Sequence, residues 1–194
     1  MASRSDHHAL ARRVLAATLA RPATLGSGRL LCIDGLAGSD KTTLAAEVVA
    51  LAPTSVVIAT DEMLEGWGGL PGLPASIGRL LLPLADDRPG RWRRWDWYDD
   101  GWAETRTVAP GPLLVLEGVG SAASSYDDLI TYRVWLEADR DVRLTRGLAR
   151  DGDALREQWE DWLEAEQVHE LRQHSRDRAD LVVDTTRSTG PTNL

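Results

Sequence analysis

The chain has 194 residues, of which 43% are hydrophobic and 27% charged, and this composition favours one soluble domain over residues 1–194. Its formal net charge of −8 argues against nucleic acid as the main partner, because phosphate backbones bind basic surfaces. No signal peptide is visible and no apolar run approaches the roughly 20 residues of a membrane span, so we expect a cytoplasmic protein without a membrane partner.

The first third of the chain predicts a helix, a buried strand and a second helix. Residues 6–21 place apolar side chains among arginines with helical spacing, and Pro22 ends this helix. The apolar run 30–33 is long enough for a buried strand. The helix that starts at Lys41 is expected to end near Leu51, before a proline.

Between this strand and this helix lies a phosphate-binding loop, or P-loop. The pattern G-x-x-x-x-G-K-[ST] is matched at Gly35, Lys41 and Thr42, and Asp40 stands where the second glycine belongs. Backbone N–H groups of such a loop bind phosphate oxygens, while the lysine reaches the outer phosphates and the threonine ligates Mg²⁺. Lys41 is the only lysine in the chain, which favours this function over a flexible turn of small residues. The predicted nucleotide-binding residues are Gly35, Ala37, Gly38, Ser39, Asp40, Lys41, Thr42 and Thr43.

Asp40 opposes nucleotide binding. Two like charges about 4 Å apart cost about 4 kcal/mol at an effective dielectric constant of 20. A carboxylate in the loop therefore repels the phosphates, and it is also placed to form an ion pair with Lys41. The loop thus predicts a nucleotide kinase-type fold whose nucleotide binding is weakened.

A second strand is predicted at residues 55–59, and Asp61 follows its carboxyl end, where open α/β sheets bind ligands. Asp61 is therefore a candidate catalytic and substrate-binding residue. Residues 66–78 are rich in glycine and proline and predict either a mobile loop, or lid over a substrate, or a plain surface loop. A short helix is expected at residues 76–85.

Arginines and tryptophans alternate in residues 91–98, which predicts an extended segment with two faces. One interpretation is a pocket wall for an anionic or aromatic small molecule, with Arg94, Trp95 and Trp97 as substrate contacts. The other is a hairpin whose tryptophans pack in the core and whose arginines are solvated.

The next two strands are predicted at residues 113–116 and 132–136. Glu117 ends the first of them, a Walker B-like position from which a carboxylate can organise Mg²⁺. A helix that begins near Asp139 carries Arg143, Arg146 and Arg150 on one face. This segment, about residues 140–153, predicts a lid over the phosphates, or a solvated face paired with nearby carboxylates.

The remaining sequence predicts a helix over residues 154–178, a last strand over residues 179–184 and a disordered tail from about Ser188. Strands that alternate with helices imply a parallel sheet with helices on both faces.

Six segments resemble the uridine kinase-like branch of the P-loop nucleoside and nucleotide kinases, and together they span roughly residues 29–185. They are IDGLAGSDKTTLA, TDEMLEGWGGL, RRWDWYDDGWAE, LLVLEGVGS, DVRLTRGLARDG and RADLVVD. The resemblance implies a three-layer α/β/α fold with a five-stranded parallel sheet in the order 2-3-1-4-5. It also implies transfer of the γ-phosphoryl group of ATP, with Mg²⁺, to a hydroxyl of a small molecule, for which we favour a nucleoside-like one.

By position, the resemblance implies that Lys41 and Thr42 bind phosphates and metal and that Asp61 accepts the proton of the substrate hydroxyl. It further implies that Glu117 organises Mg²⁺ and that Arg146 and Arg150 belong to a catalytic lid. Asp40 departs from the family pattern, and so does Met63-Leu64, where the family has Leu-Tyr.

The sequence leaves two functional hypotheses. One is a small-molecule kinase impaired by Asp40, and the other is a catalytically degenerate P-loop protein that binds a nucleotide or another ligand. A GTPase-like switch is disfavoured, because its base-reading motif needs a second lysine that the chain lacks.

Overall fold

The computed structural model describes residues 4–187, so the predicted disordered tail from Ser188 lies outside the described residues. The five α-helices of this part are α1 (Arg4–Leu19), α2 (Lys41–Leu51), α3 (Leu73–Ala85), α4 (Arg140–Asp151) and α5 (Arg156–Gln173). Its seven strands are β1 (Arg29–Gly35), β2 (Val56–Ala59), β3 (Gly90–Asp96), β4 (Gly101–Val108), β5 (Leu113–Glu117), β6 (Tyr132–Glu137) and β7 (Leu181–Asp184). None of these helices combines the length and the apolarity needed to cross a membrane.

Five strands form an all-parallel sheet in the order β2-β5-β1-β6-β7, which is the predicted order 2-3-1-4-5 once the hairpin strands are left out. β1 lies at the centre, and its Leu31 pairs with Val115 of β5 on one side and Tyr132 of β6 on the other. The predicted α/β fold is confirmed. A strand of consecutive apolar residues belongs at such a position because helices cover both faces.

The alternation of β1 side chains divides the core into two layers. Leu31 and Ile33 face the layer built with α1 and α2, whereas Leu30 and Cys32 face the layer built with α3 and α5. Because the five strands are parallel, their carboxyl ends lie at the same edge of the sheet, between the two helical layers.

β3 and β4 form a separate antiparallel hairpin, as one of the two interpretations of residues 91–98 predicts. Trp92 and Trp95 are buried, while Arg91 and Arg93 are exposed. The segment before α3, residues 66–72, is partly helical where the sequence predicts a loop. It forms two short 3₁₀ turns, Gly66–Gly68 and Leu70–Gly72, and α3 begins three residues before the predicted start.

α4 and α5 are separated by Gly152, with φ of 99°, and by the 3₁₀ turn Asp153–Leu155. α5 ends at Gln173, five residues short of the predicted end. The two helices pack where Gly147 meets the ring of Trp159, because a Cβ at Gly147 would lie 2.5 Å from two ring atoms. Trp159 is 1% exposed, so its ring is enclosed by the protein.

We expect Gly147→Ala to lower the free energy of unfolding by about 1–3 kcal/mol, because the added methyl group overpacks the contact with Trp159. Gly72→Ala is the matched control, since no atom lies within 4 Å of the added Cβ. Its φ of −85° suits alanine, so its stability should be unchanged or higher. Urea unfolding of the three proteins makes the comparison, and equal effects of both substitutions would contradict the packing argument.

Candidate phosphate-binding and active site

The P-loop connects the carboxyl end of β1 to α2, and its first two glycines allow close backbone approaches. Gly35 has φ of 140°, and a Cβ there would lie 2.0 Å from the carbonyl oxygen of Leu136 in β6. Gly38 has φ of 78°, and a Cβ there would lie 2.7 Å from the carbonyl oxygen of Arg143 in α4. The loop is therefore pressed between the sheet and α4.

Asp34, the residue before the P-loop, links the start of that loop to the segment after β5. Its buried carboxylate accepts hydrogen bonds from the N–H groups of Gly35 (2.7 Å), Gly120 (2.8 Å) and Ala122 (3.0 Å). It thereby joins the end of β1 to the segment after β5. The sequence showed this residue only as the polar end of a strand, because its partners lie far away in the chain.

The contact that resembles a kinase metal site joins α2 to β5. The Thr42 hydroxyl donates a hydrogen bond of 3.0 Å to Oε1 of Glu117, a buried carboxylate. Burial raises the pKa of Glu117, the Lys41 cation opposes this, and the Asp61 charge adds to it. Lys41 Nζ donates to the carbonyl oxygen of Leu36 at 2.9 Å. The adjacency of β1 and β5 thus brings together Lys41, Thr42 and Glu117.

The donor set fits Mg²⁺ shared with a nucleotide. A hydroxyl and a carboxylate are the hard oxygen ligands that Mg²⁺ prefers, and in kinases its remaining ligands are phosphates and water. Within residues 4–187, no group of three or more His, Cys, Asp or Glu side chains could hold a metal without such help.

Asp40 adopts the left-handed conformation that a glycine takes without strain, with φ of 67° and ψ of 23°. Its side chain is 11% exposed, and Oδ2 lies 3.6 Å from Nη1 of Arg146 without a hydrogen-bond partner. The expected ion pair with Lys41 is thus replaced by one with Arg146, since Lys41 Nζ is bound to Leu36. The carboxylate stays within the loop and does not turn to solvent.

Each of the three arginines on the α4 face forms an ion pair with a carboxylate. Arg143 binds Glu166, Arg146 binds Asp40, and Arg150 binds Asp151. Arg143 is 5% exposed, so the expectation of a solvated face is wrong for the start of this row. Arg146 also donates to the carbonyl oxygens of Gly38 (3.0 Å) and Thr185 (2.8 Å).

Arg150 is the arginine of this row whose charge interacts with Asp61 and Glu117. Hydrogen bonds to Asp151, together with the charges of Asp61 and Glu117, raise the pKa of Arg150. Its guanidinium lies 5.6 Å from the ring centroid of Trp159, whose Nε1 donates to Asp151. Trp159 and Asp151 therefore hold Arg150 from two sides.

Glu166 of α5 is a residue that sequence reasoning missed. Its side chain is 0% exposed, and Oε2 accepts a hydrogen bond of 2.6 Å from the N–H of Ala37. Burial raises the pKa of Glu166, and the charge of Arg143 opposes this most strongly. The Ala37 N–H, which we expected to face phosphate, is thus occupied by a carboxylate. Two further predicted loop residues lie elsewhere. Ser39 is buried and its hydroxyl has no hydrogen-bond partner, and Thr43 lies in the first turn of α2.

Asp61 lies in the 3₁₀ turn Thr60–Met63 after β2, where its side chain is exposed. Side chains of the β3–β4 hairpin and of the turn after β3 hold this 3₁₀ turn at Asp61 and at the next residue, Glu62. Trp97 Nε1 donates to the main-chain oxygen of Asp61 at 3.1 Å, and Glu62 accepts from Trp92 and, twice, from Arg106.

The three predicted substrate contacts lie in different environments. Trp97 is 43% exposed beside Asp61. Trp95 is buried against Trp102, with ring centroids 5.1 Å apart, and Arg94 forms ion pairs with Asp96 and Glu104, both at 2.9 Å. Their assignment as substrate contacts stays a prediction, and Trp97 has the best access.

Neither protein-family models nor curated proteins match the sequence. Solved structures do match the fold. A possible uridine kinase from Bacillus stearothermophilus has a TM-score of 0.63 and 20% identity, over 93% of this chain and 98% of its own. A candidate fructose transport system kinase from Silicibacter sp. TM1040 has a TM-score of 0.56 and 20% identity, over 91% of this chain and 98% of its own. The chain therefore has the fold of the uridine kinase-like P-loop kinases, as the sequence resemblance implied.

Proposed function

We propose that the chain is an ATP-dependent phosphotransferase of the uridine kinase-like type, which transfers the γ-phosphoryl group to a hydroxyl of a small molecule. The observation that carries this proposal is the hydrogen bond from Thr42 to Glu117 beside Lys41, at the edge of the sheet where Asp61 also lies. A P-loop threonine, a carboxylate at a neighbouring strand end and an acid facing the acceptor are the parts that this reaction needs.

In the proposed reaction, Lys41 and the later loop amides bind the phosphates. Thr42 and Glu117 would hold Mg²⁺, which would neutralise phosphate charge. Asp61 orients the acceptor hydroxyl and takes its proton as the oxygen bonds to the γ-phosphorus. The bond from that phosphorus to the bridging oxygen breaks, and ADP leaves. Arg150 stabilises the charge of the transferring group, so catalysis rests on positioning and electrostatics.

The charges around Asp61 support an uncharged acceptor, such as a nucleoside, over the anionic one that the arginine-rich hairpin suggested. Arg94 and Arg106 share Glu104 as a partner, and Arg106 also binds Glu62. A hydrogen bond from Arg94 above all lowers the pKa of Glu104 to about 2. Both guanidinium groups are thus engaged within the protein, while Trp97 offers an exposed aromatic ring next to Asp61.

A second candidate function is a catalytically degenerate P-loop protein that binds nucleotide poorly or responds to another ligand. The observation that favours it is the carboxylate of Asp40, which remains inside the loop with 11% of its side chain exposed. Arg146 offsets this charge in part, so the two candidates differ in how much affinity for phosphates is left.

We expect Asp40→Gly to tighten binding of ATP–Mg²⁺ by at least ~2 kcal/mol, about thirtyfold, after allowance for screening. Asp40→Asn is the matched control, because it removes the charge, keeps the size and tolerates the left-handed conformation. Its affinity should lie between those of the other two proteins. Calorimetric titration at constant salt gives the three values. Equal affinities would mean that the loop accommodates Asp40, and weak binding in all three would favour the degenerate protein.

Asp61→Asn should lower kcat by roughly 10²-fold or more, because the amide cannot accept the proton of the acceptor. Glu65→Gln serves as the control, since Glu65 is an exposed carboxylate of the same segment. Phosphoryl transfer from ATP is measured in the unaltered chain and in the Asp40→Gly background. An unchanged kcat in Asp61→Asn would remove this residue from the mechanism.

We expect an uncharged acceptor to be preferred over its phosphorylated counterpart. Phosphoryl transfer to uridine and to uridine monophosphate compares the two. We expect kcat/KM to be at least about tenfold higher for uridine, since the exposed carboxylate of Asp61 repels the monophosphate while Arg94 and Arg106 are already paired. Glu104→Gln should narrow this difference, because Arg94 and Arg106 each lose one of their two carboxylate partners. A preference for the monophosphate in the unaltered chain would refute the uncharged-acceptor assignment.

A further inference from the structure

The buried ion pair between Arg143 and Glu166 has no part in the proposed chemistry, yet it reaches the phosphate loop. Glu166 is 0% exposed and Arg143 is 5% exposed, although charged side chains are rarely buried so completely. The pair joins α4 to α5, which an apolar contact would do with less loss of hydration. Its location at the loop therefore needs an explanation other than helix packing.

Both main-chain polar groups of Ala37 are bound by this pair. The N–H donates to Oε2 of Glu166 at 2.6 Å, and the carbonyl oxygen accepts from Nη1 of Arg143 at 3.3 Å. Nε of Arg143 donates to the carbonyl oxygen of Ala138 at 3.0 Å, which fixes the guanidinium to the end of β6. The two side chains thus hold one residue of the P-loop by its donor and by its acceptor.

The residue after Ala37 is held by contact with the α4 backbone. The Cα of Gly38 approaches Arg143 so closely that a Cβ would lie 2.9 Å from the Cα of Arg143. Gly38 itself has φ of 78°, so the chain turns at this point. The path of the loop toward Lys41 is consequently set by where α4 and α5 lie.

We propose that Arg143 and Glu166 are positioning residues, which hold the P-loop from the side of α4 and α5 in the conformation that receives phosphates. Glu166 takes the Ala37 N–H out of the phosphate-binding set and leaves the later amides and Lys41 to face the ligand. The same pair ties the loop to α4, which carries Arg150, so the loop and this arginine keep a fixed separation. The effect on nucleotide binding rests on the proposed function, whereas the effect on the loop does not.

The test compares Glu166→Gln with Glu164→Gln, an exposed position on the same helix that undergoes the same charge change. The first readout is hydrogen–deuterium exchange of amides 36–40 relative to amides of β1 and β5. The second is the affinity for ADP–Mg²⁺, measured in the unaltered chain and in the Asp40→Gly background. Both are recorded well below the melting temperature, after circular dichroism has shown native helix content.

We expect Glu166→Gln to speed exchange in residues 36–40 by about tenfold or more and to weaken ADP–Mg²⁺ by a similar factor, the scale of coupling between contacting groups. Glu164→Gln should change neither. In the Asp40→Gly background, Glu166→Gln should raise the KM for ATP and leave the KM for the acceptor unchanged. If the pair only stabilised the fold, Glu166→Gln would lower the melting temperature without a specific effect on loop exchange or on the KM for ATP.

Unchanged loop exchange in folded Glu166→Gln would overturn the proposal, and so would faster exchange with unchanged ADP affinity. If Glu166→Gln does not fold, Arg143→Lys is measured by the same criteria, because it keeps the charge and loses the planar fork that reaches Ala37. If neither the unaltered chain nor Asp40→Gly binds ADP, the proposed function fails, and loop exchange alone decides about the positioning pair.

Discussion

The pairing of buried charges around the phosphate loop is the constraint on which the rest of the site depends. One carboxylate, Asp40, lies in the loop, and a second, Glu166, lies against it. A buried charge without a partner is strongly destabilising, so each needs a nearby cation. Arg143 and Arg146 supply these cations from one face of α4, which fixes that helix on the loop.

This pairing limits the positive charge that is left for a ligand. In an ordinary P-loop the second glycine carries no charge, and a lid arginine is free to contact phosphate. Here Arg146 faces Asp40, whereas the charges of Lys41 and of Arg150, which also binds Asp151, act on Glu117. The affinity for phosphates should therefore depend on one loop position more than on the rest of the fold.

The sequence predicted what depends on local pattern. The apolar runs predicted β1 and β5, and the small residues before Lys41 predicted the loop and the helix that follows it. Partners distant in the chain escaped prediction, because position 166 follows an apolar stripe and resembles any exposed glutamate of an amphipathic helix. The sequence likewise favours Lys41, the next residue, as the partner of Asp40, whereas the fold places Arg146 beside it.

The tryptophans connect the two halves of the site. Trp67 packs edge-to-face on Trp97 of the hairpin and on Trp159 of α5, with ring centroids 5.7 Å and 6.1 Å apart. Trp97 binds the turn of Asp61, and Trp159 packs against Gly147 and holds Arg150. Close-packed aromatic rings transmit displacement because they cannot be compressed. A shift of the hairpin would thus be felt at Arg150, whose charge acts on Glu117 and Asp61.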